Sequence, residues 1–327
     1  MIKVDAVSAA AEPLRVLCWN RFRYSTEPAR DRWRRWKAQA HAISEVDPDV
    51  LVLLKVDLGP AGWWWLRNRL GMRGLITDGF AGFKVAVLWR SPIKLVSRRS
   101  LPMTYRGQYL AVTLRVPGWP RPVRVVAQHA DPHSPDNRLQ EAQHLRQFAA
   151  ADEMTLFAGD WNITLPGDPE PDWTPLMTDQ KRERLAQHIC WPVPTGTDPV
   201  ADRRAGLYLI EQLKLTNVAA HLHRGDRSTI QPTIGHHRMD LDGIPRRVDA
   251  FFVTRALVPH LAPTGFLTAR SRNCPTTSPS KPPFSHLSWT NRRSPRRPAE
   301  AGTRGNGWCY CVPRRGSSAT RQARNAA

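Results

Sequence analysis

A carboxylate and a carboxamide stand two positions apart at Asp160 and Asn162, directly after an apolar run at residues 154–158 and a glycine at 159. The apolar run predicts a buried strand, and in an extended chain residues i and i+2 point to the same face. A carboxylate at a strand end can position or deprotonate a water molecule, and Asp and Asn oxygens are hard ligands that suit Mg²⁺. The pair therefore predicts either a metal-assisted hydrolytic site at a sheet edge or, more simply, an Asx turn.

Polar residues also close several other predicted strands. Asn20 follows the first apolar strand, His129 and Asp131 follow another, and Asp249 lies inside the last convincing strand. One such residue is usually a cap or a turn former. Several of them, each at the end of an apolar strand, indicate one shared sheet edge, and α/β proteins bind their ligands at the carboxyl edge of the sheet.

Strands and helices alternate along the chain in an α/β pattern. Apolar runs predict strands at residues 14–19, 49–54, 85–89, 94–96, 109–116, 123–128 and 247–253. Helical spacing and end signals predict helices at residues 28–46, 60–70, 134–151 and 202–213. The run at 49–54 is nearly continuous, as expected of an inner strand that is covered on both faces.

The net charge of +20 is unevenly distributed over the 327 residues. Residues 270–327 contain 12 Lys or Arg against one acid, and the other 269 residues contain 36 Lys or Arg against 27 acids. A moderately basic body suits a polyanionic partner such as nucleic acid. It suits equally a chain that only needs to stay soluble, so the charge leaves both interpretations open.

Cysteine usage and hydropathy indicate the setting of the protein. Five scattered cysteines argue against a disulfide framework and for a reducing compartment, so we expect a cytoplasmic protein, and we expect it to be a monomer. The sequence has no run of about 18 apolar residues and no apolar leader region. We therefore expect neither a membrane span nor a signal peptide.

The segment 270–327 differs from the rest of the chain. Pro, Ser, Thr and Arg dominate it and hydrophobic periodicity disappears, so we expect a disordered basic tail after a body at 14–269. Two interpretations of the tail stay open: it binds nucleic acid loosely, or it is the product of an out-of-frame stretch of a GC-rich gene. The first predicts salt-sensitive DNA binding that vanishes when residues 270–327 are deleted.

The polar motifs occur in an order that resembles the endonuclease/exonuclease/phosphatase superfamily. The order is Trp19-Asn20, Asp47-Pro48-Asp49-Val50-Leu51, His129-Ala130-Asp131, Arg138 with Glu141-Ala142, Gly159-Asp160-Trp161-Asn162 and Arg247-Val248-Asp249. The resemblance covers roughly residues 14–269 and implies a four-layer α/β sandwich, two packed mixed sheets with helices outside. It also implies phosphoester hydrolysis assisted by Mg²⁺ or Mn²⁺.

The resemblance further implies roles for single residues. Asn20 would help to hold the metal and the phosphate, and His129 would contact the phosphate or assist as an acid. Asp160 would bind the metal and orient or deprotonate the attacking water. Asn162 would hydrogen-bond the phosphate oxygens, and Asp249 would orient a catalytic histidine. Two more residues of the matching motifs would bind the substrate: Asp131 and Arg138.

One departure from the family pattern lies in the predicted metal site. The family has Gln-Glu-Val with the glutamate as the main Mg²⁺ ligand, whereas this chain reads Leu54-Lys55-Val56. An ammonium removes a ligand and adds positive charge beside the ion, so metal binding should suffer severely. Lys55 would then contact the phosphate directly or form a salt bridge with Asp160 that blocks the site. Because alternate residues of an extended segment share a face, Asp57, two residues on, would be a substitute metal ligand, although a poor one.

A second departure concerns the end of the domain. The family ends with Ser-Asp-His and an apolar strand, but after Asp249 the nearest match is Ser285-His286, which we interpret as a chance match. We therefore expect the last core strand to be missing, which would expose an edge or a cavity. Our hypothesis is a reading frame lost shortly after residues 265–268. It fails if neither of the other two frames encodes Ser-Asp-His and an apolar strand there.

Two functions are compatible with these features. The first is a metal-dependent phosphoester hydrolase, a nuclease or phosphodiesterase acting on nucleic acid or another phosphoester, with an activity impaired by Lys55 and by the missing Ser-Asp-His. The second is a non-catalytic family member, a binding protein or degenerate product that keeps the fold without the metal. The loops between the strands carry no decisive signature of a substrate.

Overall fold

The structure of the protein is a computed structural model, and it describes residues 2–4, 13–20, 29–78, 84–102, 108–235, 243–261, 266–268 and 307–310. Thirteen strands occur in this part of the chain. They are β1 (Ile2–Val4), β2 (Leu14–Asn20), β3 (Val50–Val56), β4 (Arg73–Ile76), β5 (Lys84–Trp89), β6 (Lys94–Pro102), β7 (Gln108–Arg115), β8 (Val123–His129), β9 (Thr155–Asp160), β10 (Thr216–Asn217), β11 (Asp249–Val253), β12 (Phe266–Thr268) and β13 (Gly307–Tyr310).

Six α-helices connect or follow the strands. They are α1 (Ala29–Val46), α2 (Pro60–Leu70), α3 (Pro135–His144), α4 (Arg182–Ala186), α5 (Arg204–Leu207) and α6 (Val218–Leu222). α3 is shorter than predicted, because a 3₁₀ turn at Leu145–Phe148 replaces its last part. Within the described ranges, no helix combines the length and the apolar character needed to cross a membrane.

The strands form two mixed sheets. The central strands of the first sheet follow in the order β2-β3-β5-β4, with β2 and β3 parallel and the other neighbours antiparallel. The second sheet has the order β10-β11-β9-β8-β7-β6, and its parallel pair is β8 and β9. In each sheet the parallel pair brings two strand ends to the same edge.

The two sheets face each other across an apolar core. Val52 of β3 and Val87 of β5 belong to one buried cluster with Val125 of β8 and Leu156 of β9. Burying a side chain of this size stabilises a fold by about 1.5–3 kcal/mol. The core therefore holds the two sheets together independently of the polar residues at the strand ends.

Helices cover the outer face of each sheet. Trp36 of α1 is buried in a cluster with Leu51 and Leu53 of β3, the alternate residues that point away from the other sheet. This two-sided burial explains the continuous apolar run of β3. On the far side, Phe148 after α3 clusters with Phe157 of β9. The layers make a four-layer α/β sandwich, which confirms the predicted fold class.

The chain between β9 and β11 folds beside the sandwich. Its own small core contains Trp173, Leu176, Leu185, Ile189, Ala201 and Ile244. Arg247 anchors it, because its Nε and Nη2 donate to both carboxylate oxygens of Asp168 at 2.9 and 2.7 Å. Two short segments of this region, around residues 184–188 and 243–246, border the candidate site described below.

Two short strands extend the first sheet beyond β2. β13 pairs with β2, where Trp308 lies opposite Cys18, and β12 pairs with β13. Residues 307–310 of the predicted tail therefore form a short strand, and the expectations of a disordered tail and of a missing last core strand stay predictions. This stretch contains Trp and Tyr, which favour strands, and β2 offers an edge for pairing. Ser285-His286 lie outside the described residues.

Candidate functional site

Five strand ends bring polar residues together at one edge of the sandwich. Asn20 ends β2 and Lys55 lies near the end of β3, in the first sheet. In the second sheet, Asp160 at the end of β9 lies opposite His129 of β8 in the parallel pair and opposite Asp249 of β11 in the antiparallel pair. Asp249 begins its strand and does not lie inside it as predicted. The shared edge predicted from the sequence is thus present.

Asp160 is the centre of the hydrogen-bond network at this edge. Its Oδ2 accepts from Asn20 Nδ2 at 2.8 Å and from Lys55 Nζ at 3.2 Å. Its Oδ1 accepts from the backbone N–H of Asn162 at 3.1 Å, which is an Asx turn. The Asx turn expected from the sequence is therefore present on one carboxylate oxygen, while the other oxygen accepts hydrogen bonds from the Asn20 and Lys55 side chains.

The charge of Asp160 is set by competing effects. Burial alone raises the pKa of Asp160, but the Lys55 ammonium and the backbone N–H of Asn162 together hold that pKa below its ordinary value. The carboxylate is therefore ionised at neutral pH. An ionised carboxylate that is 2% exposed needs a cationic or hydrogen-bonded partner, and Lys55 supplies the cation.

Asn162 reaches the site by a different backbone path from the one predicted. β9 ends at Asp160, and Asn162 has a φ of 50°, a left-handed conformation that Asn tolerates. The two residues therefore do not share a face of one extended segment. Asn162 Nδ2 instead donates to the backbone oxygen of Ala130 at 2.8 Å, and Asn162 lines the same cavity as Asp160.

Asn20 connects the two sheets at the site. Its Nδ2 donates to Asp249 Oδ1 at 3.0 Å as well as to Asp160. Burial and the neighbouring Asp160 carboxylate raise the pKa of Asp249 to about 7. Like charges directly opposite each other on two strands are destabilising, and the raised pKa of Asp249 lowers that cost because the proton removes one charge.

His129 lies beside Asp160 but is fully buried and does not line the cavity. Its Nε2 lies 3.7 Å from Asp160 Oδ2. Burial and the Lys55 ammonium lower the pKa of His129 to about 4, so the ring is neutral at neutral pH. The structure therefore places His129 as a neutral neighbour of the carboxylate, behind the residues that line the cavity.

Lys55 points into the site because β3 is irregular at its end. Lys55 has a φ of 57°, and the pairing of β3 with β5 shifts register between Leu53 and Val56. This bulge breaks the alternation of faces on which the prediction for Asp57 depended. Asp57 accepts from Trp36 Nε1 at 3.0 Å, towards α1, and does not line the cavity. The prediction of Asp57 as a metal ligand is therefore not supported by its position.

A cavity of about 380 Å³ opens at this edge. The strand-end residues described above, other than His129, line part of it, and residues of loops that the sequence analysis did not select line the rest, which we call the loop wall. The loop residues with polar or cationic side chains are His133, Arg184, Gln187, His188 and Arg246. Two of them had a signal: His133 closely follows the His129-Ala130-Asp131 motif, and Arg246 directly precedes the Arg247-Val248-Asp249 motif. Arg184, Gln187 and His188 lie far from these motifs in the sequence.

Asp131 and Arg138 stabilise the loop before α3 and do not line the cavity. Asp131 Oδ1 accepts from the backbone N–H groups of His133 and Ser134 at 2.8 and 2.9 Å. Although burial raises the pKa of Asp131, these bonds and one from Asn137 lower it overall. Arg138 is buried and donates to the backbone oxygen of Asp131 at 3.1 Å. These contacts give both residues a structural role, and their role as substrate ligands stays a prediction.

The residues at this edge do not fit a Mg²⁺ site. Asn20 Oδ1 is buried without a hydrogen-bond partner in the described part of the chain, which would suit a cation, but Lys55 Nζ already lies 3.2 Å from Asp160. At about 4 Å and an effective dielectric near 20, an ammonium repels a divalent ion by roughly 8 kcal/mol. The described ranges contain no group of three or more His, Cys, Asp or Glu arranged to hold a metal.

The family model of the endonuclease/exonuclease/phosphatase family matches residues 24–278, so the chain belongs to this family. The match confirms the resemblance inferred from the order of motifs. The family consists of phosphoester hydrolases that generally use divalent metals. A search among curated proteins gives no match.

Solved structures share this fold at low sequence identity. The human nocturnin catalytic domain with bound sulfate is 14% identical with a TM-score of 0.50, over 74% of this chain and 83% of that chain. ANGEL2, a 2′,3′-cyclic phosphatase in complex with adenosine-2′,3′-vanadate, is 16% identical with a TM-score of 0.50, over 78% and 87%. D. rerio TDP2 with a single-strand DNA product is 16% identical with a TM-score of 0.48, over 74% and 83%.

Proposed function

We propose that this protein binds phosphoesters, in particular nucleic acid, at the cavity and lacks the metal-assisted hydrolysis typical of its family. The carrying observation is the contact of 3.2 Å between Lys55 Nζ and Asp160 Oδ2. In the family pattern a glutamate stands at the position of Lys55 and Asp160 orients the attacking water. Here the Lys55 ammonium donates a hydrogen bond to Asp160 Oδ2, the carboxylate oxygen that would otherwise be free to orient the water.

Two further features support binding of a phosphoester. The loop wall contributes Arg184 and Arg246, cationic groups that suit phosphate oxygens. Residues 1–269 carry 36 Lys or Arg against 27 acids, which favours association with a polyanion. A cavity of about 380 Å³ lies within the range of small-molecule sites, so it has room for one nucleotide unit.

The test is cleavage of plasmid DNA and of a generic phosphodiester in the presence of Mg²⁺ or Mn²⁺. We expect no cleavage by the wild-type protein and measurable cleavage by Lys55→Glu, because the substitution replaces the ammonium with a metal ligand. The double variant Lys55→Glu/Asp160→Ala should lose this activity, which controls for a contaminating nuclease. Failure of Lys55→Glu to cleave would leave a binding protein whose site has diverged further.

A weakened phosphodiesterase is the second candidate. Asn20, Asp160, Asn162 and Asp249 still meet at one edge, and hydrogen bonds join all four of them. This candidate predicts slow metal-dependent cleavage by the wild-type protein that Asp160→Ala abolishes and Lys55→Glu raises. That result would contradict the proposed function.

A further inference from the structure

Lys55 is a cation that the chain itself supplies to the centre of the site. The left-handed conformation at Lys55 and the register shift after Leu53 aim its side chain at the cavity. The side chain is 23% exposed, whereas its partner Asp160 is 2% exposed. The ammonium therefore stands at the boundary between the buried carboxylate and the open cavity, where a ligand can reach it.

The Lys55 ammonium has N–H donors that Asp160 does not use. A lysine ammonium carries three N–H donors. In the described part of the chain, one of them is used, by Asp160 Oδ2 at 3.2 Å. The other donors can therefore serve a ligand oxygen in the cavity while the salt bridge stays in place.

The surroundings of Lys55 favour an anion over a second cation. Lys55 balances the charge of Asp160, with which it forms the salt bridge. Arg184 and Arg246 line the loop wall and Asp249 is the other carboxylate on the cavity wall. The summed charge of these side chains is therefore positive even when Asp249 is ionised, and a positive charge attracts an anionic ligand.

We propose that Lys55 replaces the divalent metal as the phosphate-binding cation, so that this protein binds a phosphodiester without a metal ion. The inference rests on the proposed function and adds which group recognises the phosphate. Asp160 holds the ammonium in place, and Asn162, which lines the same cavity, supplies a neutral polar neighbour. Arg184 and Arg246, which line the same cavity, add charge of the same sign.

Calorimetric titration of the full chain with the dinucleotide dTpdT, which carries one phosphodiester, tests the proposal. Titrations are run in excess EDTA and in excess MgCl₂, with the uncharged methylphosphonate analogue of the dinucleotide as the ligand control. We expect the wild-type affinity for dTpdT to agree within about twofold in the two buffers and the analogue to bind much more weakly. A charge-assisted hydrogen bond changes affinity by roughly tenfold to a hundredfold.

Variants of Lys55 identify the cation. Lys55→Gln should weaken dTpdT binding by about tenfold or more in EDTA, whereas Lys55→Arg, which keeps the charge, should retain most of the affinity. Lys94→Gln, the same change at an exposed position of β6, is the matched control and should bind as the wild type does. Far-UV circular dichroism checks that each variant is folded.

The outcomes separate the inference from the proposed function. Equal binding by the wild type and Lys55→Gln in EDTA, or wild-type binding that requires Mg²⁺, would overturn the inference and leave phosphoester binding in place. Absence of dTpdT binding in both buffers would overturn the proposed function itself.

Discussion

The two sheets contribute unequal halves to the site. The second sheet carries His129, Asp160 and Asp249 side by side. The first sheet carries Asn20 and Lys55, and the sequence resemblance implied a glutamate at the position of Lys55. The site therefore combines two carboxylates of the second sheet with a cation of the first sheet, where the resemblance implied a third carboxylate.

The fold tolerates this change because its stability resides elsewhere. The apolar residues Val52 and Leu54 of β3 are buried in the core between the sheets, and Leu51 and Leu53 are buried against the helices. Lys55 lies just beyond them and forms a salt bridge with Asp160 that satisfies both charges. A strand end can thus change its chemistry without a change in the strand that carries it.

The largest expected effect on the free energy of unfolding comes from disrupting the pairing of β8 and β9, the strands of the second sheet that carry His129 and Asp160. A Cβ at Gly159 would lie 2.0 Å from the backbone oxygen of Gln128 on β8. Gly159→Ala should therefore separate β8 from β9 and lower the free energy of unfolding by about 4 kcal/mol or more, measured by urea denaturation. Gly59→Ala is the control, because nothing lies within 4 Å of its added Cβ, and should cost about 1 kcal/mol or less. Equal losses would contradict the close approach of β8 and β9.

The next effect comes from the residue that joins the two halves. Asn20→Asp removes the donor shared by Asp160 and Asp249 and adds a third carboxylate. We expect a loss of about 3 kcal/mol in the free energy of unfolding at neutral pH, because buried like charges lack a partner. Asn68→Asp, the same change at an exposed position of α2, should stay within about 0.5 kcal/mol. A small effect at Asn20 would show that the sheets are not coupled through it.

The pH dependence of stability separates two residues of the second sheet. His129 has a pKa of about 4 in the fold, so between pH 6.5 and 4 the unfolded chain binds a proton that the fold does not, and stability falls on acidification. Asp249 has a pKa of about 7, so over this range the fold binds the extra proton and stability rises on acidification. The two contributions oppose each other in the wild type.

Substitutions reveal the two pH contributions separately. Asp249→Asn leaves the His129 contribution, so stability should fall by up to about 3 kcal/mol between pH 6.5 and 4. His129→Gln leaves the Asp249 contribution, so stability should rise as the pH falls from 7 to 4. Thermal or urea unfolding across this range measures both slopes. Slopes of the same sign in the two variants would contradict the assignment.

The smallest expected effect concerns the first sheet. Asp57→Asn keeps an acceptor for Trp36 Nε1 and lies away from the cavity, so stability should change by about 1 kcal/mol or less. In the Lys55→Glu background, metal-dependent cleavage should be the same with Asp or Asn at position 57. A loss of that cleavage with Asp57→Asn would support the prediction that Asp57 is a metal ligand. The first sheet would then contribute two metal ligands, Glu at position 55 and Asp57.

Local patterns were sufficient to predict the fold and the centre of the site. The apolar strands with polar residues at their ends predicted the shared edge at which Asn20, Asp160 and Asp249 are joined by hydrogen bonds. The salt bridge between Lys55 and Asp160 was one of two roles expected for Lys55, and the structure shows it. These predictions succeed because strand ends in a parallel sheet meet whatever the details of packing.

The remaining features depended on contacts between distant parts of the chain. The orientation of Asp57 follows from a bulge at Lys55, and a bulge is set by pairing with β5, which alternation along one strand does not report. Asp131 and Arg138 match the motif, but the motif did not predict their hydrogen bonds within the loop before α3.

The sequence by itself determined the family, the four-layer sandwich and the carboxylate at the centre of the site, because these follow from short-range periodicity and from the order of motifs. Only the tertiary structure decided which side chains surround that carboxylate. Arg184 and Arg246 reach the cavity through loops whose course depends on long-range packing. The sequence shows that residue 55 is a lysine. The contact of 3.2 Å between Lys55 Nζ and Asp160 Oδ2, which defines the role of this lysine, forms only in the folded chain.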